Sequence, residues 1–347
     1  MKAKFKTSGR VLFQSSATAI CCGTVVWMAA STKGADLFEG DAGSGNVYAF
    51  TPSGAQSTFA SGFQSILGLG FNGAGDLFVE DFSISTLGTI YEVGPNGTRT
   101  TFACGLLFND FDFNGIAFDS AGNLYVAAGE GIVKITPGGV QSTFASGGFL
   151  GLAFNSAGDL FASCGSSGNP STSGKIFEFT PAGVESTFAS GLSDPIGLAF
   201  DGTGDLFVSN YTSGIINQIS PFGVASVFAS GVDEPTPLAC DSQGDVFVAT
   251  SGNGPGTASI YEFTAGGAQS TFASGLYAPD GLAFQPVPEP SVLAFVGGGT
   301  AVFFMRCRRW HPEWTSRESS PGEYPLLLRL LPSRFNSHAP KLFGVYV

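Results

Sequence analysis

The sequence predicts an all-β protein: a six-bladed β-propeller of four-stranded blades, with an N-terminal signal segment and a C-terminal membrane helix. Three observations predict it. A block reading STFASG, with drift, recurs along the chain, and its phenylalanine falls at Phe59, Phe102, Phe144, Phe188, Phe228 and Phe272, 40–44 residues apart. A second block, typified by Gly197–Asn210 (GLAFDGTGDLFVSN), recurs in step with the first. Short apolar runs and Gly-rich turns repeating at such a period make propeller blades. The third observation is an asymmetry. The first copy begins at Gly34 with no GLAF strand before it, and the last GLAF, Gly281–Phe284, has no copy after it. Gly281–Phe284 therefore supplies the missing strand beside Asp36–Phe38, which closes the ring at six blades and leaves no sheet edge open there.

Within one copy the strands read in order as Gly197–Phe200, Leu206–Ser209, Ile215–Ser220 and Ala225–Ala229. Each is a short run rich in β-branched and aromatic residues. The turn between the first two is Asp201–Asp205 (DGTGD). It recurs at Asn72–Asp76, Asp119–Asn123, Asn155–Asp159 and Asp241–Asp245, always with Asp or Asn first and Gly fourth. The first residue can accept hydrogen bonds from backbone two residues on, and the glycine supplies positive φ. That accounts for these carboxylates as turn formers rather than metal ligands. The many phenylalanines fill the layers between blades.

The chain in order divides as 1–33 signal peptide, 34–286 propeller, 287–309 sorting signal with a short membrane span, and 310–347 a disordered tail of atypical composition. Residues 1–33 open with Lys2, Lys4, Lys6 and Arg10, and a mildly apolar stretch, Val11 to Ala30, follows. The propeller region is long enough for one large core. It holds 23 Asp or Glu against Arg99, Lys134 and Lys175, within a chain of formal charge −12. So acidic a surface argues against nucleic acid and anionic lipid as partners. Cys104, Cys164 and Cys240 lie in different blades with no metal-binding spacing, and Cys240 takes a core phenylalanine's place. The repeats contain no histidine, which removes His-based nucleophile activation and His metal sites. The longest insertions, Asp81–Gly88, Gly165–Gly174 and Ser251–Ala258, are Ser- and Gly-rich loops on one face, where binding residues sit on a rigid scaffold.

After Gln285 the composition changes. Val287, Pro288, Glu289, Pro290 and Ser291 precede an apolar run, Val292 to Met305, and the basic cluster Arg306, Arg308 and Arg309. The run reaches about 21 Å as a helix, short of a bilayer core of about 30 Å, but the arginines behind it match a positive-inside flank. This ending resembles the PEP-CTERM sorting signal of Gram-negative bacteria that make extracellular polysaccharide. The resemblance implies export, retention in the membrane and recognition by an exosortase-type enzyme that cuts near the motif, and so a place in the cell envelope or outside the cell. Proteins with this signal normally end at the basic cluster. This chain runs on from Trp310 to Val347, as a read-through or frameshifted extension or a cytoplasmic tail would.

The repeat, GLAF-(D/N)-x-x-G-(D/N)-L-(F/Y)-V with GxIYEFTPxG, resembles NHL-type repeats and the related gluconolactonase, or senescence-marker, family of six-bladed propellers. That family's lactonases hold one divalent metal in the central channel with Glu, Asn and Asp, some of them just before the glycine of the GLAF-like strand. The corresponding positions here are taken as Leu67, Asn114, Leu150, Ile196, Pro237 and Asp280. Only Asn114 and Asp280 carry metal-capable oxygens, with Asp110 and Asp112 near the former. A Ca²⁺ site wants six or more oxygens. Two readings follow. The first is a non-enzymatic binding or structural protein at the cell surface, with an exopolysaccharide or another surface component as partner and no cofactor. The second is a divalent-metal lactone hydrolase using Ca²⁺ or a similar ion at Asn114 and Asp280.

Overall fold

The computed structural model describes residues 35–82, 87–107, 115–129, 131–165, 174–252 and 254–286. The signal segment, the sorting motif Val287–Pro290, the basic stop and the tail lie outside them. So does Asn114. Among the described residues, twenty-four strands form six four-stranded sheets, each antiparallel throughout. Blade I contains β1 (Leu37–Asp41), β2 (Asn46–Phe50) and β3 (Gln56–Ser61). Blade II is β4 (Ile66–Phe71), β5 (Leu77–Asp81), β6 (Gly88–Val93) and β7 (Arg99–Leu106). Blade III is β8 (Ile116–Phe118), β9 (Leu124–Ala128), β10 (Gly131–Ile135) and β11 (Gln141–Ser146). Blade IV is β12 (Leu152–Phe154), β13 (Leu160–Cys164), β14 (Lys175–Phe179) and β15 (Glu185–Ser190). Blade V is β16 (Pro195–Phe200), β17 (Leu206–Asn210), β18 (Ile215–Ile219) and β19 (Ala225–Ser230). Blade VI is β20 (Pro235–Cys240), β21 (Val246–Thr250), β22 (Ala258–Phe263) and β23 (Gln269–Leu276).

The last strand, β24 (Pro279–Phe284), is the innermost strand of blade I. It pairs antiparallel with β1, Leu37 opposite Phe284 and Glu39 opposite Leu282. The ring is closed as the asymmetry of the repeats predicts.

The predicted turns are built as expected. At Asp201 the carboxylate accepts the N–H groups of Thr203 and Asp205 at 2.9 Å each, and Gly204 sits at φ +91°. Asn72, Asp119, Asn155 and Asp241 do the same in their turns. These carboxylates are occupied by backbone donors.

The core is divided into layers between neighbouring blades. The second residue of each blade's second strand is an aromatic ring that meets the STFASG phenylalanine of its own blade. Except in blade V it also meets the GLAF phenylalanine of the next. Phe161 lies 4.8 Å from Phe188 and 5.0 Å from Phe200, both edge-on. Phe38 and Phe247 repeat the arrangement, Phe247 reaching Phe284 across the closure. Edge-to-face pairs contribute about 0.5–1.5 kcal/mol beyond the area they bury. Cys240 breaks the series where Phe207 meets blade VI. It packs against that layer, and burial pushes its thiol pKa up.

Polar bridges run between blades nearer the axis. The Ser209 hydroxyl, fully buried, accepts the Gly197 N–H at 2.8 Å and donates to the Thr236 carbonyl of blade VI at 2.6 Å. Ser163 joins Gly151 to Ile196 of blade V in the same way. Ser209→Ala leaves a buried donor and a buried acceptor unpaired, and is expected to cost about 1–3 kcal/mol in chemical denaturation.

Candidate functional site

Antiparallel pairing gives the propeller two unlike ends. The turns joining strands one to two and three to four lie at one end, called here the turn end. The loops joining strands two to three, and the connections between blades, lie at the other, the loop end. Residues just before the GLAF glycine are at the loop end, where each innermost strand begins.

The axis is narrow because the innermost strands approach closely. A Cβ on Gly151 would lie 2.1 Å from the Ile196 carbonyl oxygen, and one on Gly197 2.6 Å from that of Thr236. The repeated glycine is thus required by the neighbouring blade. Around the axis most blades contribute a Gly-Leu or Gly-Ile pair, such as Gly68–Leu69 and Gly115–Ile116, and line a cavity of about 70 Å³. Asp280 is the one charged side chain lining this space among the described residues.

Bulges aim the residues that precede the glycine. The register of β24 against β1 shifts between Gly40 and Asp41, leaving Asp280 unpaired and directed inward. Strands β4, β16 and β20 shift at the same place. The register also corrects one expectation. In β20 Leu238 opposes Val248 as Leu198 opposes Val208 in blade V, so Pro237 stands in the glycine column and the axis-facing position belongs to Thr236. Thr236 is fully buried, and its hydroxyl donates to the Ala249 carbonyl at 3.2 Å. Proline disguises the column because PTPLAC carries no glycine.

Of the two residues expected to carry metal oxygens, Asp280 lies on the channel and Asn114 lies outside the described residues. Around Asp280 the structure gathers two carboxylates that sequence reading missed. Asp41, 2% exposed, accepts the Ser44 N–H at 2.7 Å and the Tyr277 N–H at 2.9 Å, tying the connection that enters β24. Glu39 is 0% exposed, and neither of its carboxylate oxygens has a hydrogen-bond partner among the described residues. In the second strands of the other blades Glu39's place is taken by Val79, Val126, Ala162, Val208 and Val248. That column was the signal available in the sequence. One blade puts a carboxylic acid where five put a small aliphatic side chain.

The electrostatics of the cluster follow from burial and from the neighbouring carboxylates. Burial, and next the charge of Asp41, push Asp280 up to about 8. Burial, then Asp41 and Asp280, hold Glu39 well above the usual carboxylate range. Asp280 thus favours its protonated form more than an ordinary carboxyl group does, and it faces a narrow apolar channel. No group of three His, Cys, Asp or Glu side chains among the described residues is placed to hold a metal ion. The other described residues of this column, Leu67, Leu150 and Ile196, have no oxygen donor in their side chains, and the Thr236 hydroxyl is engaged. The described residues alone do not make up a divalent-ion site.

Comparison with known proteins gives the fold. No family model matches the chain, and no curated protein matches it. Among solved structures, the chain is similar to the PQQ-bound aldose sugar dehydrogenase of Streptomyces coelicolor, with 20% identity, a TM-score of 0.55, and coverage of 66% of this chain and 88% of that one. It is similar to virginiamycin B lyase from Staphylococcus aureus, with 14% identity, a TM-score of 0.50 and coverage of 70% and 85%. A provisionally assigned gluconolactonase is similar at 17% identity and a TM-score of 0.49, over 64% and 82%. The likeness to the first two shows a common fold, and identities this low leave chemistry to be argued from residues.

Proposed function

We propose that this chain is an exported, surface-associated propeller that works by binding rather than by turnover, with an exopolysaccharide or another surface component as its partner. The observation that carries the reading is the contrast between axis and loops. The axis is lined mainly by glycine, leucine and isoleucine, with one acid. The side chains that depart from the repeat and carry varied chemistry stand on the loop end. Export rests on the basic, then apolar, residues 1–33. Sorting by an exosortase-type enzyme rests on Val287–Pro290, the apolar run and Arg306, Arg308 and Arg309 in that order.

A lactone hydrolase of the divalent-metal type is the second reading, favoured by Asp280 and by the unpartnered Glu39 beside it. Titrating Ca²⁺ and Zn²⁺ into the purified chain, with a panel of lactones as substrates, separates the two. The expected outcome is no metal-dependent turnover, and metal binding, if any, that is weak and unchanged by Asn114→Ala with Asp280→Ala. Tight one-site binding lost in the double variant, together with lactone hydrolysis, would replace the binding reading with the hydrolase.

A further inference from the structure

We propose that the groove between blades V and VI at the loop end binds a neutral, polyhydroxylated ligand, a saccharide, against Tyr211 and Glu234. This rests on reading the protein as a binding propeller. The groove runs between the β17–β18 loop, Tyr211 to Gly214, and the connection Gly231 to Glu234, and has a volume of about 500 Å³. Its size falls in the range of small-molecule sites. Val232, 2% exposed, anchors the connection beneath it, while Thr212, Ser213 and Asp233 are exposed.

The backbone here is shared with other blades and the side chains are not. The N–H of Tyr211 donates to the carbonyl of Asp194, and the N–H groups of Ser251, Phe82 and Ala42 make the same bond in their own blades. The fold therefore needs this main-chain contact and is indifferent to the side chain that carries it. At Tyr211's place the other blades have Ala42, Phe82, Gly129, Gly165 and Ser251. Where this connection has Asp233–Glu234, the connections entering β4, β16 and β24 have Gln64–Ser65, Ser193–Asp194 and Tyr277–Ala278, so the second acid has one counterpart and the pair has none. A tyrosine and a pair of acids thus meet at one blade junction for a reason the repeat does not supply.

The chemistry selects the ligand. The Tyr211 hydroxyl is within hydrogen-bonding reach of Glu234 and Ser251, and the Ser251 hydroxyl donates to the Glu234 carboxylate. Glu234 and Asp233 are acceptors, Thr212 and Ser213 add hydroxyls, and no lysine or arginine lines the groove. An anion is repelled. A ligand that brings several hydroxyl donors and an apolar face for the tyrosine ring is accommodated, and a sugar ring offers both.

The test is calorimetric titration of neutral glucose, galactose and mannose hexasaccharides into the purified full-length chain. At least one is expected to bind, and Tyr211→Ala and Glu234→Gln are each expected to weaken it by about tenfold or more, with the thermal midpoint unchanged. Phe222→Ser, at the opposite end, is expected to leave affinity as it is. Should Tyr211→Ala fail to fold, the near-isosteric Glu234→Gln decides alone. Binding unaltered by these variants would overturn the site while leaving a saccharide-binding propeller. Binding to no neutral hexasaccharide would overturn the site and the ligand class together, and the lactone assay would still decide between binding protein and hydrolase.

Discussion

Glu39→Val is expected to make the protein more stable than the parent chain, by about 2–4 kcal/mol near neutral pH. The variant restores the aliphatic side chain that four of the other five blades carry in this strand position. It removes a fully buried carboxyl group whose oxygens bond to nothing. The same variant should flatten the dependence of stability on pH. An acid whose pKa is raised on folding binds more protons in the folded state than in the unfolded one. Stability therefore falls as pH rises above the unfolded carboxylate range of about 4, and levels off above the folded pKa. For Asp280 that window closes near 8. Across it each such group contributes a slope of up to about 1.4 kcal/mol per pH unit. The parent chain should thus lose stability between pH 5 and 8 on the order-of-magnitude scale that linkage allows, with Asp280→Asn and Glu39→Val each removing part of the loss. Urea denaturation at a series of pH values reads this directly. A destabilised Glu39→Val, or a parent chain that gains stability toward pH 8, would show that the acid at position 39 is held ionised by a partner.

The second large effect concerns ring closure. A chain ending after Ala278 lacks β24, and with it Leu282 and Phe284, which belong to or pack against the layer between blades VI and I. Blade I then has three strands, and β1 exposes an edge whose five residues are all buried in the intact molecule. The loss is expected to exceed the stability margin of a typical domain, about 5–15 kcal/mol, so that the truncated chain gives no cooperative transition in thermal denaturation and elutes as aggregate. A sharp transition and monomeric elution would mean that the other five blades hold the ring without it.

Much of the fold was legible because its determinants are local and repeated. Asp201 and Gly204 specify their turn by bonds that reach only a few residues, and five copies make the pattern plain. The unpaired GLAF at Gly281–Phe284 exposed even the closure, which is the longest-range strand pairing among the described residues. What stayed hidden depends on register and burial. Pro237 concealed the axis-facing Thr236 because the register marker had been replaced. Glu39 stayed hidden because nothing within LFEGD says that its neighbours leave it no donor. The groove at Tyr211 could be found only once the main-chain bond to Asp194 showed which features of that loop belong to the repeat.

The pairing of β24 with β1 also sets an order of events during synthesis. Strand β1 is among the first parts of the propeller to leave the ribosome, and the strand that completes its sheet is the last. Until Phe284 has emerged, the first blade cannot finish and the ring cannot lock. The latch of the ring therefore arrives only when almost the whole domain has been made.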